Sequence, residues 1–351
     1  MIRFILQKLS SGLLIIIGVA VVVFLIFQVL PGDPVAMMMG QRADVSSKEA
    51  IEKEFGLNEP TSTRLLHYLN DLSPVSVHYD EADNLDKYNA VSLFGVAGSK
   101  VVLKKPYMRR SFQSNRIVTE IIWEGLKGTF WLALAAMTLA CVLGIIMGSV
   151  AAIKHNTWID QVLVSSSVLG ISAPSFVAGT VIVYVFAILL HGYTGFNLTG
   201  SLYEVDPFEG KQLVLKNLIL PTITLGIRPL AIITQLTRSS MLDVLGQDYI
   251  RTARAKGLPY WKVIQRHALK NALNPVITAV SGWFASLLAG AFFVEYIFSW
   301  QGLGATTINA VFMKDFPVVM GVTVFIAFIF VLINLFVDLL YTLLDPRVKL
   351  N

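Results

Sequence analysis

Charge is scarce in this 351-residue sequence. Asp, Glu, Lys and Arg make up only 15% of it, against about 25% in a typical soluble domain. Cysteine is nearly absent: the lone Cys141 lies inside an apolar run, so no intrachain disulfide can form and redox chemistry is not expected. Histidine is sparse as well. None of His67, His78, His155, His191 and His267 belongs to a His-Glu-x-x-His helix, which a zinc protease needs to hold its metal and base on one face. All five fall in loops or at the ends of apolar runs, away from any mid-membrane nucleophile. No Gly-x-x-x-x-Gly-Lys-Ser/Thr loop is present, so the chain has no phosphate cradle with which to hydrolyse ATP itself. No cofactor or metal is expected. What abounds is apolar surface: 55% of residues are hydrophobic and the mean hydropathy is +0.65. These figures exclude a water-soluble enzyme, a disordered tail and a nucleic-acid binder, despite a pI near 9.2. A bilayer protein remains.

A helical span needs about 20 mostly apolar residues. Six segments qualify as spans: Leu9–Leu30, Phe130–Ile153, Val162–Leu190, Leu218–Leu236, Pro275–Phe298 and Val318–Leu344. The first is longer than a signal-peptide core and is read as an uncleaved signal anchor. The fourth is interrupted by Arg228-Pro229, and the third carries Pro174, which removes a backbone hydrogen bond and favours a kink. Gly144 and Gly148 lie four apart on the second span, as do Gly282, Ser286 and Gly290 on the fifth; such spacing lets a neighbouring helix approach closely. Asn334 and Asp338 share a face of the sixth.

Charge sets the orientation, because Lys and Arg concentrate in short cytoplasmic loops. Thr237–Asn274 holds seven Lys/Arg against two Asp, a net +5 equal to that of the whole chain. Arg3 and Lys8 precede the first span, and Arg347 and Lys349 follow the last. With six spans, both termini and this basic segment are placed in the cytoplasm. The expected organisation is therefore an N-terminal span at 1–30, an external loop at 31–127 and a five-span core at 128–351. In the external loop, Ser46–Phe55 reads as a helix with a Ser46/Glu49 capping box, ended by Gly56. Thr61–Leu72 reads as a second helix, and Val91–Phe94 and Lys100–Leu103 as weak strands. The irregular stretch Val75–Met108 is read as a solvated insertion without an active site.

Two features carry functional readings. Arg228, some ten residues into the fourth span, is expensive in a bilayer; it either lines a translocation pathway, pairs with a buried carboxylate or snorkels outward. The basic segment reads as two short amphipathic helices. Asp248–Lys256 sets Tyr249, Ile250 and Ala253 apart from Arg251 and Arg254. Gly257 stops it, Leu258-Pro259 restarts the helix with Pro259 suited to its first position, and Lys262, Arg266 and Lys270 form a basic stripe. Amphipathicity alone leaves open whether these helices lie on anionic lipid or present a rigid knob to a partner.

Ser239–Pro275 resembles the cytoplasmic EAA loop of ABC-importer permease subunits, in the dipeptide/oligopeptide/nickel branch. The resemblance continues in Leu30-Pro31-Gly32-Asp33-Pro34, in Val294-Glu295-Tyr296-Ile297-Phe298-Ser299-Trp300 followed by Gly302-Leu303-Gly304, and in Asn334, Asp338 and Asp345-Pro346-Arg347. Several motifs in the same order specify far more than any one of them. The chain departs from the pattern where Arg251-Thr252-Ala253 replaces Glu-Ala-Ala, where Gln301 stands in place of a common proline, and in a longer Ser73–Asn115 stretch. The resemblance implies an all-α, six-span permease without catalytic residues, with the outward segments facing a periplasmic or lipid-anchored substrate-binding protein. It further implies a second permease subunit and two separate ATPase subunits. Docking to these ATPases would involve Arg251, Ala253, Arg254, Lys256, Gly257, Leu258 and Pro259. Peptide is the expected cargo. The rival is an ion-gradient-coupled secondary transporter, a class that shows repeated halves and midplane acids; here no repeat is visible, and Glu295 and Asp338 lie near span ends. An intramembrane hydrolase lacks the residues named above.

Overall fold

In the computed structural model, residues 2–29, 59–79, 91–96, 99–289 and 291–344 are described. The Leu30–Pro34 motif, the Ser46–Phe55 helix, Gly290 and the Asp345–Arg347 tail fall wholly or largely outside them. Apolar content drives the architecture, and the result is helical. In chain order the helices are α1 (Ile2–Val29), α2 (Thr61–Leu72), α3 (Val118–Ile153), α4 (Trp158–Ser172), α5 (Ser175–Ile182, continuing as a π-helix over Val183–Leu189) and α6 (Lys216–Leu245). Then come α7 (Asp248–Ala255), α8 (Tyr260–Val263), α9 (Asn274–Ala289), α10 (Phe292–Ile297), α11 (Leu303–Phe312) and α12 (Phe316–Leu344).

Among the described residues four unbroken helices are long and apolar enough to cross a bilayer: α1, α3, α6 and α12. Of the six expected spans, four are these continuous helices and two are interrupted. The third is a pair, α4 and α5, bent by 108° at the break, because Pro174 at the N-cap of α5 cannot continue the ladder of α4. The fifth is a 16-residue helix, α9, followed by the separate short α10, with Ala291 out of helical geometry between them. The fourth behaves oppositely. α6 runs for 30 residues through Pro221 and Pro229, both of them buried.

The chain divides into two compact units, Met1–Glu124 with Thr306–Phe328, and Gly125–Ala305 with Ile329–Asn351. In the first, α2 packs on α1 and on the start of α12 through Ala20, Phe24, Tyr68, Met320 and Val324. α2 begins after Pro60 and spans the residues read from sequence. Three antiparallel strands follow in the order β1-β3-β2: β1 (Val75–Tyr79), β2 (Val91–Val96) and β3 (Ser99–Leu103). Strand β1 escaped the sequence reading, while β2 and β3 match it. Register puts Val75 and Val91 on either side of Leu103 on an exposed apolar face, with Ser76 and Val102 buried behind. Helix and sheet are stitched together by Asn70, whose amide exchanges two 3.0 Å hydrogen bonds with the backbone of Val77.

The second unit is built around α6, and its core includes Leu132, Met137, Ile233, Leu288 and Trp300. Lipid is as apolar as these side chains, so close packing rather than water exclusion holds such helices together. Gly144 and Gly148 serve that packing. A Cβ at Gly144 would sit 2.8 Å from Ile233 Cγ2, and one at Gly148 2.5 Å from the Thr234 carbonyl oxygen, so α3 and α6 touch backbone to side chain. The fifth-span set does not: Gly282 has open space around it and Ser286 is exposed, while Ala285 is the buried member. A two-stranded hairpin, β4 (Tyr203–Asp206) with β5 (Gly210–Leu213), lies between α5 and α6.

Candidate functional site

The basic segment folds onto its own unit. Ile250 and Ala253 of α7, Val263 of α8, and Ile264, Ala268 and Ala272 beyond it bury against Ala152 of α3 and Met241 of α6. The polar sides of both helices are left outside: Arg251, Arg254, Lys256, Lys262, Arg266 and Lys270 are all exposed. Gly257 makes the corner between them with φ +74, a left-handed conformation that costs other L-residues about 1–2 kcal/mol. Pro259 occupies the N-cap of α8 rather than its first turn. Beyond α8 the helix loosens into a π-helix over Ile264–Leu269, keeping the three basic residues of the stripe outside.

Of the seven residues implied in docking, six reach the surface at least in part, and Ala253 does not; it is 6% exposed and faces inward. The Arg254 guanidinium stands 5.9 Å from the Tyr260 ring, and Tyr260 meets Trp261 edge-on at 6.1 Å. Trp261 is 63% exposed. Exposed Arg, Tyr and Trp grouped around a rigid corner have the composition of an interface centre.

Arg228 is the exposed residue of α6 between Leu220 and Arg238. It makes no ion pair or hydrogen bond among the described residues, so the buried-carboxylate partner weighed from sequence is not supplied by them. Gln235 and Ser239, seven and eleven positions on, share its helical face. On the adjoining α9, Thr278, Gly282 and Ser286 form a second exposed stripe of small and polar residues. An apolar groove of about 600 Å³ lies elsewhere, along α3 and the start of α6, lined by Trp131, Leu134, Val142 and Leu218 with Thr138 and Thr222.

Two buried polar centres were missed as sites. Glu295 of α10 is fully buried. Its carboxylate accepts from Thr129 Oγ1 at 2.6 Å, Gly304 N–H at 2.7 Å and Ala305 N–H at 3.1 Å, and so caps α11 from outside that helix. Thr129 Oγ1 in turn accepts from Leu303 N–H, and Trp300 Nε1 donates to the Gly128 carbonyl. Gly302 is required: its Cβ would lie 2.3 Å from a Glu295 oxygen. The motif Val294–Trp300 with Gly302–Gly304 is thus the wall of a structural centre. The available signal was a lone acid amid apolar residues.

The second centre joins α4 to α6. Asp160, 3% exposed, takes Arg238 as a bidentate partner, with Nε at 2.6 Å and Nη2 at 2.8 Å. Asn156 N–H at 3.1 Å and His155 Nδ1 at 3.2 Å complete it. Among the described residues there is no group of three or more His, Cys, Asp or Glu placed to hold a metal.

Apolar helices long enough to cross a bilayer, with a basic segment braced on its own core, define a membrane protein that offers a charged surface outside the bilayer. The family model for the inner-membrane component of binding-protein-dependent transport systems matches residues 140–350, and the model for the N-terminal part of such components matches residues 1–86. The dipeptide transport system permease protein DppB of Alkalihalophilus pseudofirmus is 36% identical, covering 99% of this chain and all of its own length. DppB of Bacillus subtilis is 33% identical over 100% of this chain and 99% of its own. A chain of the MetNI methionine ABC transporter, solved facing inward, is similar with a TM-score of 0.48 and 14% identity, covering 65% of this chain and 97% of that one. This chain belongs to the binding-protein-dependent family of inner-membrane transport components, as the resemblance implied, and is a multi-pass ABC-importer permease.

Proposed function

We propose that the chain is one of two permease subunits of an ATP-driven peptide importer and forms half of the path through the membrane. Peptide is taken from the relatives, both named as dipeptide permeases. ATP hydrolysis belongs to two separate ATPase subunits, and a periplasmic or lipid-anchored binding protein delivers cargo. Both termini and the basic segment face the cytoplasm, on the charge distribution described above. The chain is then organised as a span at 1–30, an external loop at 31–127 and a core at 128–351.

The observation that carries this reading is the fate of the apolar sides of α7 and α8. An interfacial helix needs a free apolar face to sink into lipid, and here those faces are spent on Ala152 and Met241. Only the charged and aromatic side remains, which suits a protein partner. Arg251, Arg254, Lys256 and the Gly257–Pro259 corner would seat in an ATPase cleft with Trp261 beside them. ATP would move the knob only by favouring one transport state over the other. Arg228, with Gln235 and Ser239 below it, would line the path and attract carboxylates of the cargo.

The test is affinity purification of the tagged chain from its native membrane, followed by mass spectrometry. Two ATPase polypeptides and a second permease should copurify, and the cognate binding protein should carry peptide. Uptake that persists on an ion gradient after the ATPases are removed would overturn the reading.

A further inference from the structure

The Asp160–Arg238 pair lies at a mechanical junction. Arg238 leaves α6 only three residues before Met241, which is buried among Ile250, Ala253 and Val263 of the basic segment. On its other side the pair grips the start of α4, and Asn156, with φ +62, turns its N–H onto the same carboxylate. Gly148 brings α3 against the same stretch of α6, its Cβ position 2.6 Å from Thr237 Cβ and 3.1 Å from Arg238 N. Further along, Gly170 of α4 meets Ile227 and Ala231 of α6. Helix α4 is therefore fixed to α6 near both ends. It is released only at Ala173-Pro174, where the chain bends by 108° into α5.

We propose that Asp160 and Arg238 are positioning residues that lock α4 to α6, so that displacement of the basic segment moves both helices as one lever hinged at Ala173–Pro174. This rests on the reading of that segment as the ATPase contact. Packing alone can hold two helices together but permits sliding; a bidentate guanidinium–carboxylate pair fixes register as well as distance. Coupling travels through contiguous packed and hydrogen-bonded elements with two arrangements, and hinges absorb their angle change in a few residues. Here the chain of contact is unbroken from Ile250 through Met241 and Arg238 to Asp160.

The test compares the wild-type complex, reconstituted with its ATPases and binding protein, with complexes carrying Asp160→Asn, Arg238→Lys or the double change Asp160→Leu/Arg238→Met. The double variant matters because an apolar pair of similar volume often replaces a buried ion pair without loss of stability. Expected is normal copurification of the ATPases and continued ATP hydrolysis, with peptide moved per ATP reduced at least 10-fold in the double variant and less in Arg238→Lys. An unchanged transport-to-hydrolysis ratio in the double variant would overturn the inference. So would loss of assembly in all three variants, which would make the pair a folding element. If the wild-type chain itself fails to bind ATPases, the underlying functional reading falls instead.

Discussion

The basic segment and the Glu295 centre use charge in opposite ways. Around Gly257 six cations stand in solvent and the apolar residues turn inward. At Glu295 one carboxyl group turns inward and three donors close around it. An exposed charge costs little to keep and little to remove, so its value lies in what it meets. A buried charge is costly unless every lone pair is occupied, so its value lies in holding the fold. Recognition is accordingly the role proposed for the first region, and architecture that of the second.

Breaking the second region should have the largest effect. Glu295→Ala leaves the Thr129 hydroxyl and the N–H groups of Gly304 and Ala305 without their acceptor, a loss of about 3–5 kcal/mol by analogy with broken buried polar pairs. The apparent melting temperature of the purified protein in detergent should fall steeply. Gly302→Ala should act in the same direction by pushing a methyl group into the carboxylate. A melting temperature unchanged in both variants would remove the architectural role. Charge reversal at Arg251 and Arg254 should show the converse pattern: melting within about 0.5 kcal/mol of wild type, as for exposed surface changes, but recovery of ATPase subunits reduced at least 10-fold. Equal recovery would dissociate these arginines from docking.

This contrast also explains what was legible in the sequence. Solvent-exposed amphipathic elements announce themselves by period, so α2, α7 and strands β2 and β3 were readable to within two residues at their ends. The basic stripe was readable because cations that avoid the core must repeat with the helix. Buried polar centres obey no period. Glu295 meets Thr129 across 166 positions, and Asp160 meets Arg238 across 78; such pairs are set by tertiary packing, and a single sequence shows only isolated ions near apolar runs. Span continuity failed for a related reason. Pro174 breaks its helix while Pro221 and Pro229 do not, so a proline in the sequence does not by itself mark a break.

Gly257 sharpens the comparison within the exposed region. Nothing lies within 4 Å of the position its Cβ would take, so Gly257→Ala should introduce no clash. Its cost is the positive φ alone, about 1–2 kcal/mol, and it should appear as faster amide exchange in α7 and α8 with little change in global melting. A change confined to contact with the ATPases, with exchange unaltered, would instead make the glycine a close-approach residue for the partner.

The smallest expected effect lies in the first unit, where a lysine is buried. Lys104 is 5% exposed, and its ammonium donates to the Asp71 carbonyl oxygen. Burial drives its pKa down from 10.5 to about 8, partly opposed by the Asp71 carboxylate. Folding therefore disfavours the charged form, and between about pH 8 and pH 10.5 the unfolded chain binds more protons than the folded one. Stability must rise with pH across that window, the reverse of a lysine held in a salt bridge. After allowance for solvent screening the gain is about 1 kcal/mol. Lys104→Met removes the titrating group, so the variant's melting temperature should lack the upward slope that wild type shows relative to it from pH 8 to pH 10. Parallel profiles would mean that Lys104 keeps its proton, and that the Asp71 region holds a buried cation as firmly as Thr129, Gly304 and Ala305 hold the Glu295 carboxyl group.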